Sequence, residues 1–424
     1  MTPDDDVIDL VDQQAVGADF TRDPYAVFAA LRERGPVHHV RFPEGTDGWL
    51  VVGHRHARAV LSDSRLTKQW QYAHPRLRSA RVSPATHMLG ADPPDHTRMR
   101  ALVAREFTPR RVAALAPRVQ AITDELLDTM LAAPDGPTDL VDAFCFPLPI
   151  TVICELLGVP SLDRERFRGW SNQLLGATLD REAKQETVSL MSRYLQELID
   201  AKREDPGDDL MSGLIHTADE DGDRLAHAEL IGMAWLLLIA GHETTVNLIG
   251  NGVLTLLQHP DQLALLREDP TLLDGAVEEI LRYEGPISTP TYRFTREPYE
   301  IAGTVIPGGG EVVLPAIADA GRDPERFADP DRFDIRRRDS GGHLAFGHGI
   351  HHCLGAPLAR MEGRIALRAL LLDRAPDLTL DIHPAAIAWR DGSLVRGPVR
   401  LPVRWKPPLR QAGESGRRGG PPGG

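Results

Sequence analysis

The stretch FGHGIHHCLG, residues 346–355, places one cysteine, three histidines and three glycines in ten positions, directly before a helical pattern. Residues of these types occur in zinc sites, redox-active thiols, phosphate-binding loops and tight turns. Each of these four kinds of site requires further residues, either within the stretch or elsewhere in the chain.

The residues that a zinc protease or a nucleotide-binding loop requires do not occur. Four positions after His242 stands Val246, so the two-histidine face of an H-E-x-x-H helix is missing. No second Cys/His pair accompanies Cys353 at structural-zinc spacing, which leaves a zinc hydrolase as a distant alternative. G-x-S-x-G and G-x-x-x-x-G-K-[ST] are absent, and His352 replaces the third glycine of a dinucleotide loop.

What remains is a lone cysteine in a glycine-rich turn where a helix begins. Backbone N–H groups and the positive end of the helix dipole stabilise a thiolate at that position. Gly349 and Gly355 have no side chain, so a flat group could lie against the turn. A soft thiolate next to a planar cofactor indicates haem iron.

The hydrophobic periodicity predicts a helix-dominated chain with minor sheet. We predict helices over 112–133, 189–203, 229–259, 274–285 and 356–373. The pattern also predicts strands over 36–42 and 49–52, and two strands around a Pro-Gly turn in 299–315. The helix over 229–259 carries polar residues at its centre, which fits a soluble core better than a membrane.

Composition and charge limit the partners and the compartment. The formal net charge of −13 disfavours general affinity for nucleic acid or an anionic membrane. Only three cysteines occur (Cys145, Cys154 and Cys353), so we expect a reducing compartment without disulfides. The acidic start MTPDDDVIDL has no signal-peptide pattern, and we predict a cytoplasmic protein.

Four segments resemble motifs of one family, in that family's order. Residues 346–355 match F-x-x-G-x-x-x-C-x-G, the cysteine-ligand loop of the cytochrome P-450 monooxygenases. AGHETT at 240–245 resembles the family's oxygen-binding helix, EILR at 279–282 its E-x-x-R helix, and HTRMR at 96–100 its bacterial H-T-R-x-R segment. The sequence is therefore identified as a member of this family, most similar to actinobacterial macrolide and polyketide hydroxylases.

The resemblance implies a mainly α fold with small β-sheets, and haem b buried between a long central helix and the cysteine-ligand loop. We expect one domain over 1–408 and a disordered Gly/Pro-rich tail over 409–424. The implied reaction hydroxylates or epoxidises a bulky hydrophobic natural product with O2. A haem sensor or carrier without oxygen chemistry is the alternative, and the Glu-Thr pair of AGHETT argues against it.

By resemblance, Cys353 is the iron ligand, Glu243 and Thr244 deliver protons to oxygen, and Ala240 and Gly241 leave room for it. A Thr244 hydroxyl that bonds back to its own helix is the structural alternative. The other cofactor-binding residues are assigned to the haem propionates, to shielding of the sulfur or to close approach: His96, Arg100, Arg293, Phe346, His351 and Gly355.

The substrate pocket is assigned by position in the family pattern. Residues 64–91, which line it in the family, contain no Asp or Glu but five Lys and Arg residues. We therefore predict a neutral or anionic polyketide-like substrate and not an amino-sugar macrolide. The residues assigned to the pocket are Trp70, Leu89, Leu175, Ala240, Ile287, Thr289 and Leu394.

The remaining predictions concern structure and partners. Glu279 and Arg282 are predicted to form a structural ion pair, completed by Arg326 or Arg332. Electrons are expected from NAD(P)H through a ferredoxin reductase and a ferredoxin, and the protein is expected to be a monomer. A basic patch for the ferredoxin and scattered solvated arginines are equally compatible with Arg105, Arg110, Arg111 and Arg364.

Overall fold

The computed structural model describes residues 7–80, 86–132, 137–160, 164–175, 181–217 and 222–405, so the predicted tail lies outside the described residues. Within these ranges the chain is mainly helical. The helices are α1 (Gln13–Val16), α2 (Pro24–Arg34), α3 (His54–Ser62), α4 (Pro75–Ala80), α5 (Asp95–Glu106), α6 (Pro109–Ala114), α7 (Ala116–Leu131), α8 (Pro147–Leu157), α9 (Arg164–Leu175), α10 (Arg181–Glu204), α11 (Leu210–His216), α12 (His227–Gln258), α13 (Pro260–Glu268), α14 (Leu273–Tyr283), α15 (Ile317–Ala320) and α16 (Ala356–Arg368).

Short strands form three small sheets, with the orders β1-β2-β3-β9-β6-β4, β10-β11-β5 and β7-β8. The strands are β1 (Ile8–Asp9), β2 (Val37–Arg41), β3 (Asp47–Val51), β4 (Leu66–Thr67), β5 (Thr138–Asp139), β6 (Arg293–Thr295), β7 (Tyr299–Ile301), β8 (Thr304–Ile306), β9 (Val312–Pro315), β10 (Thr379–Leu380) and β11 (Pro402–Arg404). The prediction of a mainly α fold with small β-sheets is confirmed.

The predicted turn in 299–315 is wrong. The hairpin turns at Ala302 and Gly303, whose φ angles are 50° and 79°, and joins β7 to β8. Residues after Pro307 lead instead to β9, which pairs with β3 and β6 in the large sheet. The proline and glycines therefore connect two sheets, because the tight turn needs only two residues with positive φ.

Helix α12 is the centre of the main core, and it packs against α8, α10, α14 and α16. It is one uninterrupted α-helix, so its polar centre does not break it. Gly232 lets the chain at Thr86 lie directly on it, because a Cβ there would come within 1.9 Å of the Thr86 carbonyl oxygen. A long apolar helix surrounded by other helices is buried on nearly all sides.

The predicted helix over 112–133 is two helices, α6 and α7, which meet at Leu115. Thr108 caps α6 by accepting a hydrogen bond from the Arg111 N–H group. Pro117 lies in the first turn of α7, where its missing N–H group costs nothing, so the proline begins a new helix instead of continuing α6. Periodicity alone does not reveal this break.

Candidate active site

The loop 346–355 folds back on itself before α16 begins. Its Cys353 N–H group donates a 2.8 Å hydrogen bond to the Phe346 carbonyl. Gly347 and Gly349 have φ angles of 73° and 75°, which residues with a side chain adopt at a cost. A Cβ on Gly349 would lie 3.1 Å from the Cα of Ser62 in α3, so this glycine serves packing on α3 and does not make room for a flat group.

The Cys353 thiol is exposed, unlike those of Cys145 and Cys154, which are buried. Protein surrounds the sulfur on its other sides, and this loss of solvent raises the pKa of the Cys353 thiol. The Gly355 N–H group, Arg100, the Ala356 N–H group and Arg360 act in the opposite direction. These donors and charges favour a thiolate once a cation lies at the exposed side.

The ring of Phe346, the first residue of the loop, lies against the positive charge of Arg360. The Arg360 guanidinium carbon is 4.4 Å from the centre of the Phe346 ring. Arg100 donates from Nη2 to the His352 carbonyl at 2.7 Å, which ties α5 to the loop. The loop is therefore held from both α5 and α16.

One face of α12 is open near the centre of the helix. Ala240 is exposed and Thr244 is partly exposed, one helical turn further on. The Thr244 hydroxyl donates to the Ala240 carbonyl at 2.8 Å, which is the structural alternative predicted for this residue. The side chain of Glu243 is only 2% exposed and lies 3.5 Å from Nη2 of Arg390.

Gly241 has a packing role that the sequence did not indicate. A Cβ at this position would be 3.0 Å from Cδ1 and Cγ1 of Ile153 in α8. Such a distance is shorter than ordinary van der Waals contact, so the absence of a side chain lets α8 and α12 approach each other. The glycine was predicted to make room for oxygen, and its missing Cβ faces a neighbouring helix instead.

His96 and His351, predicted to share the propionates, lie together with ring centres 4.3 Å apart. His96 is 2% exposed, and neither of its ring nitrogens has a hydrogen-bond partner. Burial, followed by the charges of Lys68, His96 and Arg293, lowers the pKa of His351 to about 2. Buried polar atoms without partners are rare in proteins and indicate a missing acceptor or donor.

Two buried cations, Lys68 and Arg293, lie near His96 and His351. We call these four residues the cationic cluster. The Lys68 ammonium donates to the carbonyls of Thr291 and Tyr292, both at 2.8 Å. Burial and then Arg293 lower the pKa of Lys68, and burial lowers that of Arg293 to about 10. Asp92 is the nearby carboxylate that opposes both shifts. A single carboxylate does not balance these buried cations, so the cluster suits a bound group that carries two further carboxylates.

Lys68 was not predicted to belong to this cluster. The sequence signal was available but ambiguous, because Lys68 stands in the segment 64–91 that we assigned to the substrate pocket. Strand β4 pairs with β6, and this pairing carries Lys68 to the residues beside Arg293. Only the sheet topology makes that connection.

The structural pair Glu279 and Arg282 has the predicted geometry, but its network differs. Arg282 donates to Glu279 from Nε at 2.7 Å and from Nη2 at 2.8 Å, with both side chains fully buried. Arg337, at 3.3 Å from Glu279, supplies the second cation. Arg326 pairs with Asp339 instead, and Arg332 contributes only its carbonyl to Arg282.

Comparison with known proteins shows which family the chain belongs to. The family model described as Cytochrome P450 matches residues 172–373. The chain is 57% identical over 411 residues to the cytochrome P450 monooxygenase PikC of Streptomyces venezuelae, covering 97% of each protein. It is 47% identical over 397 residues to the 6-deoxyerythronolide B hydroxylase of Saccharopolyspora erythraea, covering 91% of this chain and 96% of that protein. The chain belongs to the cytochrome P450 family.

The fold of this P450 is confirmed by solved structures. The tirandamycin C-bound P450 monooxygenase TamI superposes with a TM-score of 0.85 at 44% identity, over 94% of this chain and 100% of that one. The chain is therefore a P450 monooxygenase, and the alternatives of a zinc hydrolase and of a haem carrier without oxygen chemistry are not supported. In the described ranges, no three His, Cys, Asp or Glu side chains converge as a metal site.

The family carries haem, and residues of this P450 fit that group. The unpartnered nitrogens of His96 and the excess of buried cations suit two propionates. The exposed Cys353 thiol, with N–H donors and arginines around it, suits an iron atom on its open side. Among the described helices of this P450, none is both long and apolar enough to cross a bilayer.

The residues assigned to the substrate pocket separate into two groups. Ile287, Thr289 and Leu394 come together, because residues 286–289 pair with 393–396 through the Ser288 N–H group and the Leu394 carbonyl at 3.0 Å. Thr289 is fully buried, and its hydroxyl donates to the Ser393 carbonyl at 2.9 Å. Its side chain therefore joins two segments and presents no exposed surface.

The second group lies near the segment before α5. Trp70 packs with its ring centre 5.3 Å from that of Phe294, on the side of the large sheet. Leu89 packs against the main helical core. The side chain of Leu175 lies outside the described residues. The structure thus brings the first group together but gives Trp70 and Leu89 different neighbours.

The charged residues of 64–91 are less available to a substrate than the sequence indicated. Arg65 pairs with Asp63 at 2.6 Å on the surface, and Lys68 belongs to the cationic cluster. Arg78 donates to the Gln71 carbonyl at 3.0 Å, and Arg81 lies outside the described residues. The prediction of a neutral or anionic substrate therefore depends on the absence of Asp and Glu from this segment, and not on its positive charge.

Proposed function

We propose that this P450 hydroxylates or epoxidises a bulky, hydrophobic macrolide or polyketide, with O2 and two electrons from a ferredoxin. For hydroxylation, the substrate C–H bond, O2, two electrons and two protons give an alcohol and water. The support is the identity with relatives named as a 6-deoxyerythronolide B hydroxylase and a mycinamicin IV hydroxylase/epoxidase. The observation that carries the chemistry is the exposed Cys353 thiol beside N–H donors and arginines.

The residues that would hold the haem follow from the site. Cys353 would bind the iron, and Phe346 would keep water from the sulfur. His96, Arg100, Arg293 and His351, together with Lys68, would hold the propionates, because burial of two carboxylates requires cations and hydrogen-bond donors. When bound, the haem supplies the redox chemistry that splits dioxygen.

Glu243 and Thr244 are the proposed proton donors. The Thr244 hydroxyl donates to the Ala240 carbonyl, and its oxygen remains able to accept a proton on the open face of α12. Glu243, the preceding residue, is buried and supplies the carboxyl group of the proposed relay. A hydroxyl on the open face and a buried carboxylate next to it can pass a proton in turn while bulk water is excluded.

The substrate is proposed to be neutral or anionic. Residues 64–91 contain no carboxylate that would pair with an amino sugar, and Gly90 stands where one would be expected. Of the residues assigned to the pocket, Ala240, Ile287 and Leu394 are apolar and not fully buried, which suits a hydrophobic ligand.

The partner is proposed to be a ferredoxin that is reduced from NAD(P)H by its reductase. Of the arginines for which the sequence left a basic patch and scattered solvated charges open, Arg111 pairs with Glu106 and Arg364 with Asp274, which leaves a smaller patch. Arg100 and Arg360, near the sulfur, add positive charge on the thiolate side. We propose a monomer in the cytoplasm, which docks an acidic carrier at this side.

A spectral titration of the purified ferric protein tests this proposal. Three probes separate the substrate classes: 6-deoxyerythronolide B, tirandamycin C and mycinamicin IV. We expect a thiolate-haem Soret band that shifts from low to high spin with 6-deoxyerythronolide B or tirandamycin C. A shift with mycinamicin IV that disappears when its amine is neutralised would contradict a neutral or anionic substrate. Absence of a Soret band after haem reconstitution would contradict the enzyme itself.

The variant Thr244→Ala tests the proton role of the open face of α12. We expect it to keep the Soret band and the spin shift, while most of the oxygen consumed appears as hydrogen peroxide instead of product. Unchanged coupling of oxygen consumption to product would assign Thr244 to the structure of the helix alone.

A further inference from the structure

Ion pairs that lie one helical turn apart connect α14 to α16. Glu278 pairs with Arg360, and Asp274 pairs with Arg364. The side chains of Glu278 and Arg360 are 21% and 34% exposed, whereas those of Asp274 and Arg364 are 75% and 42% exposed. The two pairs therefore join the same helices, and the pair of Glu278 is the more buried one.

Glu278 holds its arginine at two points. Nε of Arg360 donates to Oε1 of Glu278 at 2.5 Å, and Nη2 donates to Oε2 at 2.9 Å. Burial raises the pKa of Glu278, but the hydrogen bonds from Arg360 and then from His343 outweigh burial and lower that pKa to about 2. Two parallel bonds between a planar guanidinium and a planar carboxylate fix their relative orientation. Glu278 is thus ionised at neutral pH and holds the guanidinium in one position.

This position places the guanidinium of Arg360 against the cysteine-ligand loop. Its carbon is 4.4 Å from the centre of the Phe346 ring. Phe346 is bound to Cys353 in turn, because the Cys353 N–H group donates to the Phe346 carbonyl at 2.8 Å. Arg360 is also one of the charges that act directly on the Cys353 sulfur. The cation beside the sulfur is therefore held by a carboxylate from a different helix, α14.

His343 supports Glu278 from the residues that precede the loop. Its Nδ1 accepts a hydrogen bond from the Ala345 N–H group at 3.1 Å, so the proton of the neutral imidazole lies on Nε2. That nitrogen is 3.3 Å from Oε2 of Glu278, and the His343 side chain is only 3% exposed. The ring centres of His343 and Phe346 are 5.8 Å apart. Glu278, His343 and Arg360 thus form one connected group, which contacts Phe346 through His343 and Arg360.

We propose that Glu278 is a positioning residue for the haem thiolate: it holds Arg360 on Phe346, and the fixed positive charge raises the reduction potential of the iron that Cys353 binds. Reduction adds an electron to the iron and its thiolate, so a nearby cation stabilises the reduced form more than the oxidised form. Without its carboxylate, the partly exposed Arg360 side chain extends into solvent, where water screens its charge. This inference rests on the proposed function, in which Cys353 binds haem.

A role of Glu278 as a simple counter-charge would have the opposite sign. If Arg360 kept its position without Glu278, the loss of one negative charge would leave a stronger positive charge beside the sulfur, and the reduction potential would rise. Positioning and charge compensation thus predict shifts in opposite directions. The sign of the shift in Glu278→Gln decides between them.

Redox titration of the purified holoenzyme against reference dyes, without ferredoxin, measures this sign. We expect Glu278→Gln to lower the equilibrium constant for reduction of the ferric iron about threefold or more, where a tenfold change corresponds to about 59 mV for one electron. Arg360→Gln should lower the same constant, and Glu278→Ala, which keeps no acceptor for Arg360, should lower it at least as far as Glu278→Gln. An unchanged or raised constant in Glu278→Gln or Glu278→Ala would overturn the proposal.

The matched control is Asp274→Asn. Asp274 joins the same two helices through Arg364, but its side chain is 75% exposed and water already screens the pair. We expect Asp274→Asn to have the same equilibrium constant for reduction as the wild type. A fall as large as in Glu278→Gln would mean that any weaker contact between α14 and α16 lowers the potential, and would overturn the specific role of Glu278.

A double-variant cycle tests whether Glu278 acts through Arg360. In the Arg360→Gln background, Glu278→Gln should not lower the constant further, because no guanidinium remains to be positioned. A further fall as large as in the wild-type background would overturn the proposal. A wild-type protein without a thiolate Soret band in its ferrous–CO form would contradict the proposed function and this inference together, whereas an intact band with an unchanged potential in Glu278→Gln would contradict this inference alone.

Discussion

Glu279 joins α14 to the chain that follows β9. Besides the two bonds from Arg282, it accepts a 2.9 Å hydrogen bond from the Asp334 N–H group. Arg282 in turn donates to the carbonyls of Gly321 at 2.6 Å and Pro330 at 2.7 Å. Glu279→Gln leaves the Arg282 charge buried without its carboxylate, so we expect a loss of about 3–5 kcal/mol in the free energy of unfolding. Urea unfolding of the ferric holoenzyme measures it.

The control for Glu279 is an exposed pair in the same region. Asp339 lies 3.2 Å from Arg326, and the two side chains are 47% and 36% exposed. Asp339→Asn should cost less than about 1 kcal/mol, because water screens this pair. Equal losses in the two variants would mean that burial does not decide the strength of these pairs.

Glu362 in α16 is a buried acid with no role in the proposed chemistry. It is 1% exposed, its Oε2 has no hydrogen-bond partner, and burial raises the pKa of its carboxyl group well above the usual value. The folded protein then keeps a proton that the unfolded chain releases above about pH 4.5. The contribution of Glu362 to stability is therefore fully present at low pH and is lost as the pH rises.

Glu362→Gln removes this titration and keeps the shape of the neutral acid. We expect little change in the free energy of unfolding at pH 4 and a gain of roughly 1–3 kcal/mol over the wild type at pH 8, the typical cost of a buried group without partners. Urea unfolding of both holoenzymes at the two pH values measures the difference. A gain that is the same at pH 4 and pH 8 would contradict a titrating Glu362.

At the scale of residues, the sequence predicts contacts that local spacing determines. Glu279 and Arg282 stand three apart on one helix, and the structure pairs them as expected. Arg337 is 58 positions from Glu279, and only the path of the chain after β9 brings it near. The same limit explains Lys68 and Arg390, whose partners lie on distant elements.

The packing of α8 against α12 depends on one glycine. Because a Cβ on Gly241 would be 3.0 Å from the Ile153 side chain, we expect Gly241→Ala to lower the free energy of unfolding by about 1–3 kcal/mol, as overpacking does. In an Ile153→Ala background the same substitution should cost clearly less, since the neighbouring atoms are gone. Urea unfolding of the four proteins of this cycle measures the coupling.

Gly169 in α9 is the control for this substitution. Nothing lies within 4 Å of the position that its Cβ would take. Gly169→Ala should therefore be neutral or stabilise by about 0.5–1 kcal/mol, the usual preference for alanine in a helix. An additive cycle for Gly241 and Ile153 would show that the two helices shift apart without cost.

At the scale of elements, the periodicity predicts the helices better than their ends. Helix α12 was expected over 229–259 and spans His227–Gln258, because its apolar pattern is long and continuous. The end of α6 at Leu115 and the turn at Ala302 depend on single residues. A hydrophobic pattern extends over many positions and does not locate such single-residue changes. The pairing of β3 with β9 joins segments more than 250 positions apart and has no local signal.

At the scale of the molecule, the cationic cluster draws on four separate parts of the chain. Lys68 follows β4, His96 lies in α5, Arg293 begins β6, and His351 lies in the loop before α16. The family resemblance predicted three of these residues individually. Their influence on one another appears only in the folded chain, where burial and then the charges of Lys68, His96 and Arg293 lower the pKa of His351, and burial and then Arg293 lower that of Lys68. The fold therefore brings together like charges that only an anionic group can balance.

Arg293→Gln tests this charge balance, because its effect on the melting temperature should have opposite signs without and with haem. Arg293 is buried, and in the described part of the chain its hydrogen bonds are two long ones, to the carbonyls of Leu61 at 3.4 Å and Thr291 at 3.5 Å. Without haem, removal of one like charge relieves repulsion, so we expect the haem-free variant to melt at a higher temperature than the haem-free wild type. With haem, the variant lacks a propionate partner, so it should melt at a lower temperature and lose haem about tenfold faster, equivalent to about 1.4 kcal/mol.

Thermal unfolding of both forms and haem transfer to apomyoglobin measure these opposite shifts. The exposed Arg203, which pairs with Asp200 at 3.0 Å, provides the control. Arg203→Gln should leave all three quantities close to the wild type, because water already screens that pair. If Arg293→Gln lowers the melting temperature of the haem-free protein as much as that of the holoenzyme, Arg293 stabilises the fold itself. The cationic cluster would then stabilise the haem-free fold. It would not be an anion-binding site whose repulsion lowers the stability of that fold.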